Sequence, residues 1–216
     1  EDYTRYPRTQ QQDLKRLMEY DVDLVFIPEV TEMYAAPNLT IVNVNNLSGQ
    51  LCGEFRPGHF SGVATVVCKL LNIVQPDVAV FGEKDYQQLV LIQTMVSDLK
   101  MAINIVGVPT VRAEDGLALS SRNQYLTAQQ RSLAVMLYKT LCRVREQLET
   151  SHPGDFRKLE DQQMENLKQA GFSPEYFAIR NADNLTQPLT DASNQRLVIL
   201  VAAWLGQTRL IDNMLV

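Results

Sequence analysis

Along the chain the apolar positions change period several times, and each change marks an element. From Ser61 to Val74 the residues Val63, Val66, Val67, Leu70, Leu71 and Val74 recur at a helical period, in spite of the β-branched members. Pro76-Asp77 ends that pattern. Val78-Ala79-Val80-Phe81 then forms a short continuous apolar run, as expected of a parallel strand covered on both faces. Leu89, Ile92, Val96 and Leu99 share one helical face, and Ile103 to Val108 reads as the next strand. Strand, helix and strand at this spacing predict a βαβ unit. In such folds a ligand sits beyond the carboxyl ends of the strands, here near Gly82 and just after Val108.

Ahead of this unit, residues 1–20 read as a polar helix whose apolar stripe is Leu14, Leu17 and Met18. It feeds a short strand, Leu24 to Ile27, and Ile41 to Val44 reads as another. A domain that opens on a peripheral helix and not on a core strand raises the expectation of a segment upstream. Past residue 109 the character changes. Thr127 followed by Gln130 is a capping-box pattern, and it precedes a helix with Leu133, Leu137, Leu141, Val144 and Leu148 as its stripe. Pro153-Gly154 breaks the chain. Asp155 then caps a helix carrying Phe156, Leu159, Met164 and Leu167, which Gly171 ends. Tyr176 to Ile179, Leu197 to Trp204 and Thr208 to Ile211 read as strands, the last two as a hairpin about Gly206-Gln207. The expectation is an α/β protein. A Rossmann-like doubly wound parallel sheet, N-terminally incomplete, spans 1–109, and a smaller C-terminal α+β domain spans 110–216.

Composition narrows the function classes. With 216 residues the chain holds one or two domains, and 45% apolar residues exclude a wholly disordered chain. Twenty Lys+Arg against 25 Asp+Glu leave a net charge of −5. That balance argues against nucleic-acid and membrane-surface partners, which need a cationic field, but it permits a local basic pocket. The nine-residue apolar run from Leu197 to Leu205 is far below the roughly 20 residues of a membrane-spanning helix. No apolar signal-peptide region follows Glu1. Three cysteines without CxxC spacing read as buried free thiols of a reducing cytoplasm. Two histidines are too few for a histidine metal site, and Trp204, in an apolar strand, reads as core.

Three segments could carry chemistry. Gly82-Glu83-Lys84-Asp85 joins a strand to a helix: Gly82 permits close approach, the helix start offers unpaired N–H groups, and Lys84 adds a charge. Gln88 lies one turn further on. Spacing alone favours the plainer reading, with Asp85 as a helix cap and Lys84 as a solvated charge. Leu119-Ser120-Ser121-Arg122 offers two hydroxyls and a guanidinium suited to a polyphosphate, or else forms a polar interdomain loop. His59 beside Arg56, in Arg56-Pro57-Gly58-His59-Phe60, could bind a carboxylate or simply cap the following helix.

Taken together and in order, these segments resemble the pantoate–β-alanine ligase family. The likeness includes Arg5-Tyr6-Pro7-Arg8-Thr9, Arg56 to Phe60, and Phe81 to Asp85 with Gln87-Gln88. It continues through Val106 to Pro109, Asp115 to Asn123, Val201 to Gly206, and Arg209 to Asn213. The resemblance implies a cytoplasmic, Mg²⁺-dependent homodimer of the nucleotidyltransferase superfamily. It implies that pantoate is adenylated by ATP and that β-alanine then displaces AMP to give pantothenate. Carried over by position, Gly82, Glu83, Lys84 and Asp85 would line the nucleotide site, with Lys84 on the phosphates and Asp85 on the ribose. Gln88 would hold pantoate, Val111 would meet adenine, and Leu119, Ser120, Ser121 and Arg122 would close over the triphosphate. Arg56 and His59 would border the acid pocket.

The family's first strand, its His-x-Gly-His phosphate-binding segment and a pantoate glutamine do not occur in these 216 residues. The expectation is therefore that these residues are part of a longer protein, with poor catalysis by the chain alone. The segment from Tyr34 to Ile41 is also slightly short against the family pattern. Two other readings share the motifs: an adenylating enzyme for a different acid, and a non-catalytic ATP-binding or dimerisation module.

Overall fold

The computed structural model describes residues 9–35, 39–150, 155–189 and 195–216. Arg5 to Arg8, His152 and the Pro153-Gly154 break lie outside the described residues, as does part of the Tyr34–Ile41 segment. The chain divides into two compact units, Glu1–Thr40 and Ile41–Val216.

The first unit carries α1 (Gln10–Glu19) and the single-turn α2 (Val30–Met33). Thr9 donates from Oγ1 to Asp13 at the start of α1, and Glu29 and Glu32 close a capping box on α2. Leu24 to Ile27 is not a strand. A strand is defined by its hydrogen-bonded neighbour, and none pairs with this stretch among the described residues. Ile41 to Val44, in the second unit, departs from expectation in the same way. It is held by side chains instead: Thr65 Oγ1 accepts from Val42 N at 3.0 Å and Ser48 Oγ from Val44 N at 3.3 Å.

In the second unit α3 (Cys52–Phe55) and α4 (His59–Val74) precede the predicted βαβ. Here β1 (Val78–Gly82), α5 (Tyr86–Asp98) and β2 (Asn104–Val108) follow one another, and β1 pairs parallel to β2 from Val78↔Asn104 to Gly82↔Val108. A 3₁₀ turn, Glu83–Asp85, links β1 to α5. Leu99, expected on the buried face, caps the end of α5 and is exposed.

Next come α6 (Ala128–Thr150) and α7 (Phe156–Gln169). The capping box of α6 forms as read: Thr127 N donates to Gln130 Oε1 at 3.0 Å, and Gln130 N to Thr127 Oγ1 at 3.2 Å. Asp155 caps α7 by accepting from Lys158 N. Gly171, at φ +95°, closes it with bonds from Gly171 N to Lys168 O and from Phe172 N to Leu167 O. Then β3 (Ser173–Asn181), β4 (Leu197–Leu205) and β5 (Thr208–Leu215) form an antiparallel sheet in that order. The α/β class is as expected, with a parallel β1–β2 pair and a three-stranded antiparallel sheet.

Burial explains why β4 is a continuous apolar run in an antiparallel sheet, where alternation is the rule. Val198 and Leu200 pack into a core with Phe60, Ala64, Leu91, Ile92 and Met95. Leu197, Ile199, Val201 and Ala203 face a second core with Leu137, Leu141, Val144, Leu159 and Leu167. Both faces of β4 are covered, and each fully buried aliphatic side chain contributes about 1.5–3 kcal/mol. Trp204 is the exception in this strand. It is half-buried, and its indole N–H donates to Glu175 Oε1 at 2.8 Å.

Candidate active site

One crevice in the second unit gathers Arg56, His59, Lys84, Asp85, Gln88, Ser120 and Arg122. Three separate sequence segments thus converge. The parallel strand β1 aims the turn at the crevice, and α5 begins directly beyond it. Asp85 occupies the N-cap position of α5 but makes no capping bond with its side chain. The helix-cap alternative therefore loses its support, and the carboxylate lines the crevice. Gln87 and Gln88 both line the crevice, but Gln87 is buried and fully engaged, accepting from Cys52 N at 3.2 Å and donating to Leu47 O and Gln50 O at 2.9 and 2.8 Å.

Other expected residues lie elsewhere. Gly82, Glu83, Val111, Leu119 and Ser121 are not part of the crevice lining. Val111 and Leu119 are nonetheless neighbours, with Leu119 N donating to Val111 O at 2.9 Å, and they are exposed by 67% and 52%. Between them the loop is pinched by the antiparallel bridge Arg112↔Ala118. Asp115 faces Arg131 at 2.7 Å, outside the crevice. Ser120 accepts from Arg122 N at 3.2 Å and so caps the 3₁₀ turn Ser121–Tyr125. Its hydroxyl orders the main chain ahead of Arg122 as well as lining the crevice.

The electrostatics are local. Burial pushes the Lys84 ammonium below its ordinary pKa, while the Asp85 and Asp212 carboxylates pull it back up. Burial, then Arg56 and Arg209, push His59 down to about 4. The ring is neutral at pH 7, and its Nε2 accepts from Arg56 Nη1 at 3.3 Å. The net charge of the chain has no bearing on this small cationic pocket.

Sequence reasoning missed the far wall of the crevice, which β5 supplies through Arg209, Asp212 and Asn213. Arg209 pairs with Glu175, Nε and Nη2 reaching Oε2 at 2.9 and 2.6 Å, and Nη2 also lies 3.4 Å from Cys52 Sγ. Arg112, from the 111–119 loop, makes two bonds to Asp212. The available signal was the pattern of β5 itself, where buried Thr208, Arg209, Asp212 and Asn213 interrupt an apolar strand. Of the three cysteines, all free, Cys52 is buried while Cys68 and Cys142 are half-buried.

The fold is an α/β scaffold of two sheets whose crevice gathers cationic and hydroxyl groups. The family model for pantoate-beta-alanine ligase matches residues 1–215. A pantothenate synthetase of Stutzerimonas stutzeri is 54% identical over all of this chain and 75% of its own length. That of Methylococcus capsulatus is 49% identical at the same coverage. The crystal structure of pantothenate synthetase from Thermus thermophilus superimposes with a TM-score of 0.88 at 45% identity, over 99% of this chain and 77% of that one. Pantoate-beta-alanine ligase from Francisella tularensis, solved in complex with beta-gamma ATP and beta-alanine, gives 0.76 at 35% identity over 99% and 72%. The chain belongs to the pantoate-beta-alanine ligase family.

Proposed function

We propose that the crevice serves the ATP-dependent condensation of pantoate with β-alanine to pantothenate, a precursor of coenzyme A. The observation that carries this reading is the convergence of Lys84, Asp85 and Gln88 with Ser120 and Arg122 on one crevice, in a chain of this family. The neighbour from Francisella tularensis, complexed with beta-gamma ATP and beta-alanine, supports the same substrates.

In the first step a pantoate carboxylate oxygen attacks the α-phosphorus of ATP. The new P–O bond gives pantoyl adenylate, and the α–β bridge breaks to release pyrophosphate. Lys84 and Arg122 offset the charge that gathers on the phosphates, Ser120 donates to them, Ser121 lies outside the lining, and Asp85 accepts from ribose hydroxyls. Gln88 orients pantoate, whereas Gly82, Glu83, Val111 and Leu119 lie outside the crevice lining. Arg56 and neutral His59 border the acid. In the second step the β-alanine amine attacks the acyl carbon, and AMP leaves. No protein nucleophile is needed, because positioning and charge compensation supply the acceleration.

Among the described residues no three His, Cys, Asp or Glu side chains cluster as a metal site. The Mg²⁺ of this reading would come with the ATP phosphates, which supply much of its coordination. The reading includes a homodimer in the cytoplasm. The test is AMP formation by the intact protein, dependent on pantoate, β-alanine and ATP together. Lys84→Ala and Arg122→Ala should each lower kcat about 10²–10³-fold. Pyrophosphate exchange that requires a carboxylate other than pantoate would refute the substrate assignment.

A further inference from the structure

Two side chains of β5 hold both segments assigned to the phosphates. Asn213 Nδ2 donates to the main-chain oxygens of Glu83 at 2.8 Å and Lys84 at 2.9 Å. Those carbonyls belong to the turn that presents Lys84. Beside it, Asp212 accepts from Arg112 Nη1 and Nη2 at 2.7 and 2.9 Å, and from Asn213 N at 2.8 Å. Arg112 donates further to Gly116 O at 3.0 Å and Asn213 O at 3.1 Å, and its guanidinium lies 4.4 Å over the Tyr138 ring. The loop held in this way runs on into Ser120 and Arg122.

Asp212 and Asn213 are 4% and 6% exposed, so water competes little for these bonds. The chemistry also requires the amide. A carboxamide brings two N–H donors to two carbonyl oxygens, whereas an aspartate of the same shape would bring only acceptors.

We propose that Asn213, locked by the Asp212–Arg112 pair, is a positioning residue that fixes the Glu83–Lys84 main chain so that the Lys84 ammonium meets the ATP phosphates in its productive orientation. The inference rests on the reading of Lys84 given above. It is decided by a double-mutant cycle of wild type, Asn213→Ala, Lys84→Ala and the double variant of the intact protein. The readouts are kcat and the KM for ATP in pantoate-dependent ATP–pyrophosphate exchange. Asn213→Ala is expected to lower kcat/KM for ATP roughly 10- to 100-fold, with the KM for pantoate within about twofold. In the Lys84→Ala background the same change should cost less than about threefold, because the group it positions is gone.

An equal loss in both backgrounds, or none in the wild type, overturns the positioning role and leaves the Lys84 assignment standing. Full exchange by Lys84→Ala alone sinks that assignment and this inference with it. If Asn213→Ala does not fold, Asn213→Ser passes through the same cycle. Its single hydroxyl cannot bridge two carbonyls, so its outcomes read in the same way.

Discussion

His59 shows how far one residue's chemistry depends on its neighbours. In the unfolded chain its ring titrates near 6.5, and in the folded chain burial, followed by Arg56 and Arg209, lowers this to about 4. Between those values the unfolded state binds more protons. The His59 contribution to stability is therefore complete above about pH 6.5 and is lost as the pH falls toward 4. Denaturant titrations at pH 7, 5.5 and 4 should show a fall that is smaller in a His59→Gln variant. The His59 resonance in a proton NMR titration should move near pH 4, and a midpoint above 6 would refute the assignment. The sequence located Arg56 and His59 as neighbours. It could not reveal a neutral ring, because Arg209 arrives from 150 positions away along the chain. Asn213 was illegible for the same reason: its partners are 129 and 130 residues distant.

At the scale of elements, legibility followed whether an element is determined locally. The capping box at Thr127 and Gln130 and the stop at Gly171 depend on short spacings and form as read. The β1–α5–β2 unit also forms, but Val78 and Val80 are exposed, so β1 is not covered on both faces as its apolar run suggested. Leu24 to Ile27 and Ile41 to Val44 have strand-like composition, but strand identity requires a partner edge that local pattern does not encode. The 111–119 loop offers an element-scale test. Gly116 has φ +93°, and a Cβ there would run into the Tyr138 ring on which Arg112 rests. Gly116→Ala should cost about 1–3 kcal/mol in chemical denaturation, through backbone strain and displacement of that ring. A variant as stable as the wild type would show that the loop relaxes freely.

For the whole molecule, the excess of five negative charges says little about an anionic substrate, because the crevice collects its cations locally. ATP binding should couple to global stability. At a nucleotide concentration 100 times its Kd, the unfolding free energy of the intact protein should rise by about 2.7 kcal/mol. At the same concentration Lys84→Ala should gain distinctly less, and an equal thermal shift in both proteins would count against Lys84 as a phosphate contact.

The two-faced burial of β4 has a consequence for anyone building chimaeras from this family. Val198 and Leu200 belong to the core of the parallel unit, whereas Ile199 and Val201 belong to that of the helices α6 and α7. A C-terminal half grafted onto a foreign nucleotide-binding half would import half of its recipient's interior along with its own. Viable crossovers should therefore be chosen by matching the odd and even residues of one strand as two separate inheritances, not by finding a loop that is convenient to cut.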